Sequence, residues 1–372
     1  MDVGPSTLEN LGVILLTKKW SMKFCILGLS LVVISIWMPG CASKFLHYEK
    51  AEELKKNDEL ESQVKIVVPD AANPAAEKKE VVAESVNGSD LKKPGKKLKR
   101  RISHKPAKAG AVQEAKDPNI HEPADVEPGE GFIGRQPIKN PFRVGEKIVH
   151  TVSYFKVSAG SLTMEVLPFA QVNGKKSYQL RTEIKTSSLF SSFYSVDDVV
   201  DVMMDAETFV PSVFSLHVKE SKQLREAQML FDWSKDQATY WEKKVTDKDG
   251  EENKKLQWNI LPYSQNVFSV AFYLRVFPWA LGKEIKVRVA DAEKNMIFRA
   301  TAIRKEKLST PVGDFDTLVL QPKIELQGKY EPTGDNYIWI SDDDRHYILR
   351  IESKIKIGTL VSEITELVPG QP

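Results

Sequence analysis

Residues that could support catalysis are sparse in this chain of 372 residues. From Pro141 onward the histidines are His150, His217 and His346, and no two of them stand at a metal-ligand spacing. GxSxG and HExxH motifs are absent, so the sequence supports neither a serine hydrolase nor a zinc protease of those types. We therefore predict a non-enzymatic protein that needs no metal and no cofactor.

Two acidic runs could instead bind a cation or supply paired carboxylates. They are Asp197, Asp198, Asp201 and Asp205 in the first run, and Asp342, Asp343 and Asp344 in the second. The first run favours a polar edge between strands. The second lies between two alternating apolar segments, where aspartate commonly forms turns, and it predicts a hairpin turn.

Cysteine is confined to the N-terminal part of the chain, at Cys25 and Cys41, which excludes a disulfide framework or a cysteine zinc site elsewhere. Residues 24–37 form an uncharged apolar run preceded by lysines, and the run is shorter than the roughly 20 residues of a membrane-spanning helix. The sequence MPGC follows and resembles a bacterial lipobox ending at Cys41. We interpret residues 1–41 as a signal peptide and lipoprotein anchor region, with lipid on Cys41. The alternatives are an uncleaved anchor and a cleaved signal with an incidental cysteine, and translation could start at Met1 or at Met22.

Residues 42–140 show no strand alternation and are rich in Ala, Pro, Lys and Glu from Pro69 onward. Such a segment buries too little apolar area to offset its ordering entropy, so we predict a disordered stalk, with one possible helix over residues 46–64. About 100 coil residues would reach roughly 50–60 Å. Basic residues crowd between Lys92 and Lys108, which fits a solvated linker or a contact with anionic lipid or an acidic cell-wall polymer. We expect no nucleic-acid partner, because the signal removes the chain from the cytoplasm.

A different pattern begins at Pro141. Short runs such as YQLRTEIK, residues 178–185, alternate apolar and polar side chains and are separated by turn residues. Asn173-Gly174 predicts a tight hairpin, because both residues tolerate positive φ. Without alternating helical segments, these runs predict a mostly antiparallel β domain over residues 141–370, built as a curved sheet or an open barrel.

Residues 266–277 (NVFSVAFYLRVF) are apolar on nearly every side. They predict one helix of about 12 residues, buried against the concave face of the sheet. Its candidate ligand-groove residues are Phe268, Phe272, Tyr273 and Arg275, since the aromatic rings could line an apolar groove and the guanidinium could contact an anionic headgroup. The alternative is a core helix whose polar tips hydrogen-bond to the sheet.

Four stretches in this order resemble the bacterial domain-of-unknown-function family numbered 3108. They are FRVGEKIVHTVSYFKVSAGSLTMEV from Phe142, SVAFYLRVFPWALGKEI from Ser269, TPVGDFDTLVLQP from Thr310, and YIWISDDDRHYILRIESKIKIGTL from Tyr337. The resemblance covers about residues 140–368. It implies an exported, mostly β domain whose biochemical role is not established.

Three functions stay open on the sequence. The leading hypothesis is a lipoprotein of the bacterial envelope, facing the periplasm, that binds an apolar ligand or a partner segment in a curved sheet. The first alternative is a structural docking module that tethers the membrane to the cell wall, and the second is an enzyme acting on an envelope polymer. A ligand binder needs an apolar cavity, a docking module an exposed apolar patch, and an enzyme convergent polar groups in a cleft.

Overall fold

The computed structural model describes residues 45–68, 131–326, 329–331, 335–355 and 358–371. The predicted anchor region 1–41, with Cys41, and the basic stretch from Lys92 to Lys108 lie outside the described residues. Within the described ranges, no helix is both long enough and apolar enough to cross a membrane.

The elements follow one another as a long series of strands with few helical turns. The first are α1 (Ala51–Leu54), α2 (Asp58–Gln63), β1 (Ile66–Val67), β2 (Phe132–Ile133), β3 (Gln136–Pro137), β4 (Glu146–Tyr154), β5 (Val157–Val172), β6 (Lys175–Thr186), α3 (Ser188–Ser191), β7 (Asp197–Asp205), β8 (Pro211–Lys219), β9 (Gln223–Asp232), β10 (Gln237–Thr246) and β11 (Gly250–Asn259). The others are α4 (Ser269–Tyr273), a 3-10 helix (Leu274–Val276), β12 (Glu284–Asp291), β13 (Lys294–Thr310), β14 (Gly313–Leu326), β15 (Lys329–Glu331), β16 (Asn336–Ser341), β17 (Ile348–Ile355) and β18 (Gly358–Pro369).

One antiparallel sheet of 16 strands organises the domain, in the order β11-β10-β9-β8-β7-β6-β5-β4-β18-β17-β16-β14-β13-β12, with β1 added at β5 and β15 at β14. The outermost strands β11 and β12 do not pair, so the sheet is open rather than closed into a barrel. Register shifts within the β4–β5, β5–β6 and β13–β14 pairs bend it. The predicted fold class, a mainly β protein with a curved, open antiparallel sheet and one buried helix, is confirmed.

The connections gather at two opposite ends of the sheet, because neighbouring strands alternate in direction. The α3 end carries the connections that follow β4, β6, β8 and β10. The α4 end carries those that follow β5, β7, β9 and β11. Asn173-Gly174 closes the β5–β6 hairpin at the α4 end with φ of 51° and 78°, which confirms the predicted turn.

The inner face of the sheet packs on α4 in one apolar core. Along β8, Phe214, Leu216 and Val218 are buried while the residues between them are half-buried, as the two-residue period of a strand requires. Phe272 of α4 belongs to the same cluster of buried residues. The core therefore joins the sheet and the buried helix.

The predicted helix over residues 266–277 is buried but much shorter than expected. The side-chain oxygen of Asn266 accepts hydrogen bonds from the backbone N–H groups of Phe268 and Ser269, at 2.9 and 2.7 Å, so α4 begins only at Ser269. After Tyr273 the chain tightens into the 3-10 helix. The predicted length is wrong because a local side-chain turn competes with the first helical turn.

The predicted disordered stalk is wrong for residues 45–68, which we call the strap. Leu60 and Val64 of the strap are buried against the outer face of the sheet, beside Val213 and Met203. Leu54 packs in a second small cluster with residues of β9 and β10. Few apolar residues suffice here, because the sheet supplies the surface that buries them. The single helix considered for residues 46–64 is also wrong, since Asn57 caps a separate α2.

The β domain begins earlier than the predicted boundary at residue 141. In the β2–β3 hairpin Phe132 is buried, and its ring centroid lies 5.6 Å from that of Phe277. The disorder expected for residues 131–140 is therefore wrong as well. Residues 69–130 of the predicted stalk lie outside the described part of the chain.

Candidate functional site

The four predicted groove residues lie within residues 266–277, which we call the α4 segment. Phe272, Tyr273 and Arg275 are buried, and Phe268 is half-buried, with its ring stacked on Phe214 at a centroid distance of 5.7 Å. The structure thus places the four residues on one short buried segment, the apolar plug, at the α4 end of the sheet. Their proposed contact with a ligand stays a prediction.

Arg275 forms the centre of a buried ion cluster. Its side chain is 1 % exposed and donates to the carboxylate of Glu146 at 2.5 and 3.0 Å. Arg345 donates to the same carboxylate, and Arg275 Nε donates to the backbone oxygen of Arg345 at 3.1 Å. His346 Nδ1 lies 2.9 Å from the backbone oxygen of Arg275, and burial lowers the pKa of this histidine. The cluster ties the α4 segment to β4 and to the β16–β17 turn.

Tyr273 connects the α4 segment to the β2–β3 hairpin at the same end of the sheet. Its hydroxyl accepts a hydrogen bond from Arg135 Nη2 at 2.9 Å, and Arg135 Nε donates to the backbone oxygen of Thr208 at 3.0 Å. The hairpin that carries Arg135 is thereby fixed across the end of the sheet. The Tyr273 hydroxyl and the Arg275 guanidinium therefore both have hydrogen-bond partners within the protein, as the core-helix alternative expects.

The second acidic run forms a turn, as predicted. Asp343 Oδ1 accepts hydrogen bonds from the backbone N–H groups of Arg345 and His346, at 2.9 and 3.0 Å. Asp342 and Asp344 form surface ion pairs with lysines. Within the described residues, no group of three or more His, Cys, Asp and Glu side chains could hold a metal ion.

The first acidic run divides between the two faces of β7. Asp201 forms a paired contact with Arg181, with both N–O distances at 2.9 Å. Asp205 accepts from two backbone N–H groups in the following turn. These residues match the predicted polar role, but Asp198 is buried on the inner face.

Asp198 belongs to a group of buried ionisable residues, which we call the inner charged cluster. Its members are Tyr194, Asp198, Glu220, Arg225 and Tyr240. Glu220 is 1 % exposed, and its Oε2 accepts from the hydroxyl of Tyr194 at 2.5 Å. Asp198 Oδ1 accepts from the backbone N–H of Lys219 at 3.0 Å, and Arg225 donates to the hydroxyl of Tyr240 at 2.8 Å.

Burial sets the protonation of this cluster. Burial, followed by the nearby charge of Glu220, raises the pKa of Asp198 to about 9. Burial raises the pKa of Glu220 to about 7 and lowers the pKa of Arg225 to about 10. The Asp198 carboxyl is therefore protonated at neutral pH, because burial disfavours its charged form and the nearby Glu220 carboxylate adds repulsion.

Sequence reasoning missed Glu220 and Arg225. A usable signal existed, because both occupy inward positions in strand patterns whose other inward residues are apolar, such as Val218 and Ala227. Charged residues at such positions indicate a polar layer inside a sheet.

The strap reaches the same end. The backbone N–H of Leu46 donates to the backbone oxygen of Glu220 at 2.9 Å, and the ammonium of Lys219 lies 4.6 Å from the ring centroid of Phe45. Further along, Asn57 donates to the side chain of Gln228 at 2.7 Å. A cleft of about 270 Å³ lies between the strap and β9–β11, and its lining includes Leu54, Gln228 and Trp241.

Three solved structures match part of the chain weakly. A β-barrel-like protein of the domain-of-unknown-function family DUF1849 from Brucella abortus matches with a TM-score of 0.39 and 9% identity, covering 60% of this chain and 98% of its own. A proposed exported protein with a YmcC-like fold from Bacteroides fragilis gives 0.27 and 9%, covering 61% and 97%. A proposed lipoprotein from Parabacteroides distasonis gives 0.24 and 12%, covering 60% and 95%.

No curated protein matches the chain significantly. A family model does match, over residues 149–365, and it spans β4 through β18. That range includes Asp198, Glu220 and Arg275, and it agrees with the resemblance of the sequence stretches. The chain therefore belongs to the family described as protein of unknown function DUF3108.

Proposed function

We propose that this protein is a non-enzymatic lipoprotein of the bacterial envelope that acts as a docking module, with its β domain held close to the membrane by lipid on Cys41. The observation that carries the proposal is the docked strap. Only residues 42–44 separate Cys41 from Phe45, which already contacts the domain. An extended chain of that length spans at most roughly 14 Å, against the 50–60 Å expected of a coil stalk.

The polar groups that converge in the domain support a structural role. Arg275 and Glu146 satisfy each other in the buried cluster, and Asp343 satisfies the backbone of its own turn. Such groups position elements rather than substrates. An enzyme acting on an envelope polymer would instead need convergent polar groups in an open cleft.

Replacing the predicted lipid-bearing residue tests this proposal. We expect Cys41→Ala to release the protein from the membrane fraction or to block its processing, because a single cysteine carries the acyl chains. Cys25→Ala is the matched control and should fractionate as wild type. The measurements are membrane fractionation and the intact mass of the mature protein. Unchanged mass and fractionation in Cys41→Ala would refute the anchor.

A second function, binding of an apolar ligand, is favoured by the opening between β11 and β12. Leu256 and Trp258 of β11 are only partly buried where they pack on the core, and so is Phe268 before α4. The indole Nε1 of Trp258 is buried without a hydrogen-bond partner in the described structure. An apolar ligand at this opening would cover the half-buried rings.

Titration with a fluorescent fatty acid distinguishes apolar-ligand binding from a core that has only a structural role. We expect Phe272→Ala to cost about 3–5 kcal/mol of unfolding free energy, because it leaves a cavity in packed surroundings. The half-buried Phe268→Ala should cost less, and it should weaken probe binding if a ligand enters between β11 and β12. Absence of probe binding to the wild type, measured alongside urea unfolding, would remove the ligand hypothesis.

A further inference from the structure

Four large apolar side chains project into solvent at the α3 end. Phe155 and Leu189 are 71 % and 61 % exposed, and Val157 and Phe193 are also exposed. Phe155 lies on the connection after β4, Val157 begins β5, and Leu189 and Phe193 lie on the connection after β6. The backbone N–H of Ser187 bonds the backbone oxygen of Ala159 at 2.9 Å, so the two connections form one surface, which we call the α3-end patch.

The turn that carries Phe155 is built at a conformational cost. Phe155 and Lys156 have φ of 47° and 62°, a conformation for which Asn and Gly are the favoured residues. The β5–β6 hairpin at the opposite end uses Asn173-Gly174 for a comparable turn. Two other non-glycine residues adopt this conformation in the β12–β13 turn, so the distinguishing feature here is the exposed aromatic ring at the tip.

The strap places this patch beside the predicted anchor. The connection that holds Phe193 continues to Ser195, whose backbone oxygen accepts from the N–H of Ser221 at 3.1 Å. The neighbouring Glu220 receives the N–H of Leu46. Because Cys41 lies within roughly 14 Å of Phe45 along the chain, lipid on that cysteine would bring the α3 end to the bilayer.

We infer that the α3-end patch is a membrane-contact surface whose apolar side chains enter the interface of a phospholipid bilayer. Phe155, Leu189 and Phe193 enter the region between headgroups and acyl chains, about 5–10 Å deep. The exposed Lys156 and Lys222 flank them and contact lipid phosphates, as lysine does at membrane interfaces. This inference rests on the proposed anchor at Cys41, and it adds the orientation of the domain and the surface that meets the lipid.

A cysteine scan of the full-length, acylated protein tests the orientation. Cys25 and Cys41 are the natural cysteines, and the first is removed with the signal while the second is blocked by lipid, so an introduced cysteine is the single free thiol. Leu189→Cys reports on the α3-end patch. Leu281→Cys, 59 % exposed at the α4 end, is the matched control. Each variant is labelled with an environment-sensitive dye in vesicles of phosphatidylethanolamine and phosphatidylglycerol.

We expect dye at position 189 to emit at shorter wavelength and to have a several-fold smaller iodide quenching constant than dye at position 281. Nitroxide lipids should quench position 189 and spare position 281. Acylated, vesicle-bound protein with equal iodide quenching at both positions would overturn the inference and leave the anchor standing. Protein that is soluble and carries no acyl mass would overturn the anchor and the inference together.

Discussion

At the scale of single residues, burial decides which charged side chains matter for stability. Arg275 and Glu146 are removed from water together, whereas the Arg181–Asp201 pair on the sheet surface stays partly solvated. Breaking a buried pair leaves an uncompensated charge, while an exposed pair contributes little. The two arginines therefore form a matched test of the same chemistry in two environments.

We expect Arg275→Ala to lower the unfolding free energy by about 3–5 kcal/mol. Arg181→Ala should lower it by about 1 kcal/mol or less. Urea unfolding of both variants gives the comparison. If Arg275→Ala kept wild-type stability but lost affinity for acidic lipids, the residue would serve a headgroup contact instead.

The inner charged cluster makes stability depend on pH. The folded-state pKa of Asp198, about 9, lies above the value of about 3.9 for an unfolded aspartate. Between these values the unfolded chain gives up the proton that the folded protein keeps, so the free energy of unfolding falls as pH rises. Stability from this group is complete below about pH 4 and lost by about pH 9.

Asp198→Asn should flatten that dependence, because an amide keeps an acceptor for the Lys219 N–H and cannot ionise. Its stability relative to wild type should rise with pH, as measured by urea unfolding across that interval. Asp201→Asn, on the outer face of the same strand, is the control and should not gain stability at alkaline pH. Parallel pH curves for wild type and Asp198→Asn would refute the protonation assigned here.

At the scale of elements, the strap is an attachment rather than part of the core. Leu60 belongs to a small cluster on the outer face of the sheet, separate from the cluster that contains α4. Elements held by few apolar contacts open locally without global unfolding. The strap should therefore come away while the sheet stays folded.

We expect Leu60→Ala to lose about 2 kcal/mol locally, which corresponds to roughly 30-fold faster opening of α2 and β1. Hydrogen exchange should accelerate in residues 58–67 and stay unchanged in β4 and β18. Glu61→Ala, at the neighbouring exposed position, should change neither. Acceleration spread over the whole sheet would mean that the strap is part of the cooperative core.

Local patterns predicted the elements that depend on neighbours in sequence. Alternation along residues 178–185 and the turn at Asn173-Gly174 required only the period of a strand and the φ tolerance of two residues. The strap and the inner charged cluster escaped prediction because their partners are distant in sequence. The alternation of β8 places Glu220 on the inner face, but the groups that it meets there are set only by the pairing of β7, β8 and β9.

At the scale of the molecule, the two ends of the open sheet differ in chemistry. The α4 end is closed by the apolar plug and its buried ion cluster around Arg275. The α3 end combines buried ionisable groups with exposed apolar tips and the start of the strap. The membrane contact proposed for the α3 end requires such a difference between the two ends.

The pairing of β4 with β18 has a consequence for biogenesis. The first long strand of the domain is flanked by β5 on one side and by the last described strand on the other. Synthesis delivers β4 far ahead of β18, so the middle of the sheet stays incomplete until the segment starting at Gly358 arrives. A chain interrupted before that residue would leave β4 and β17 each with an unpaired edge, and unpaired edges favour aggregation. The sheet can therefore be completed only once β18 is available, and a chaperone that holds the unfinished chain would favour folding.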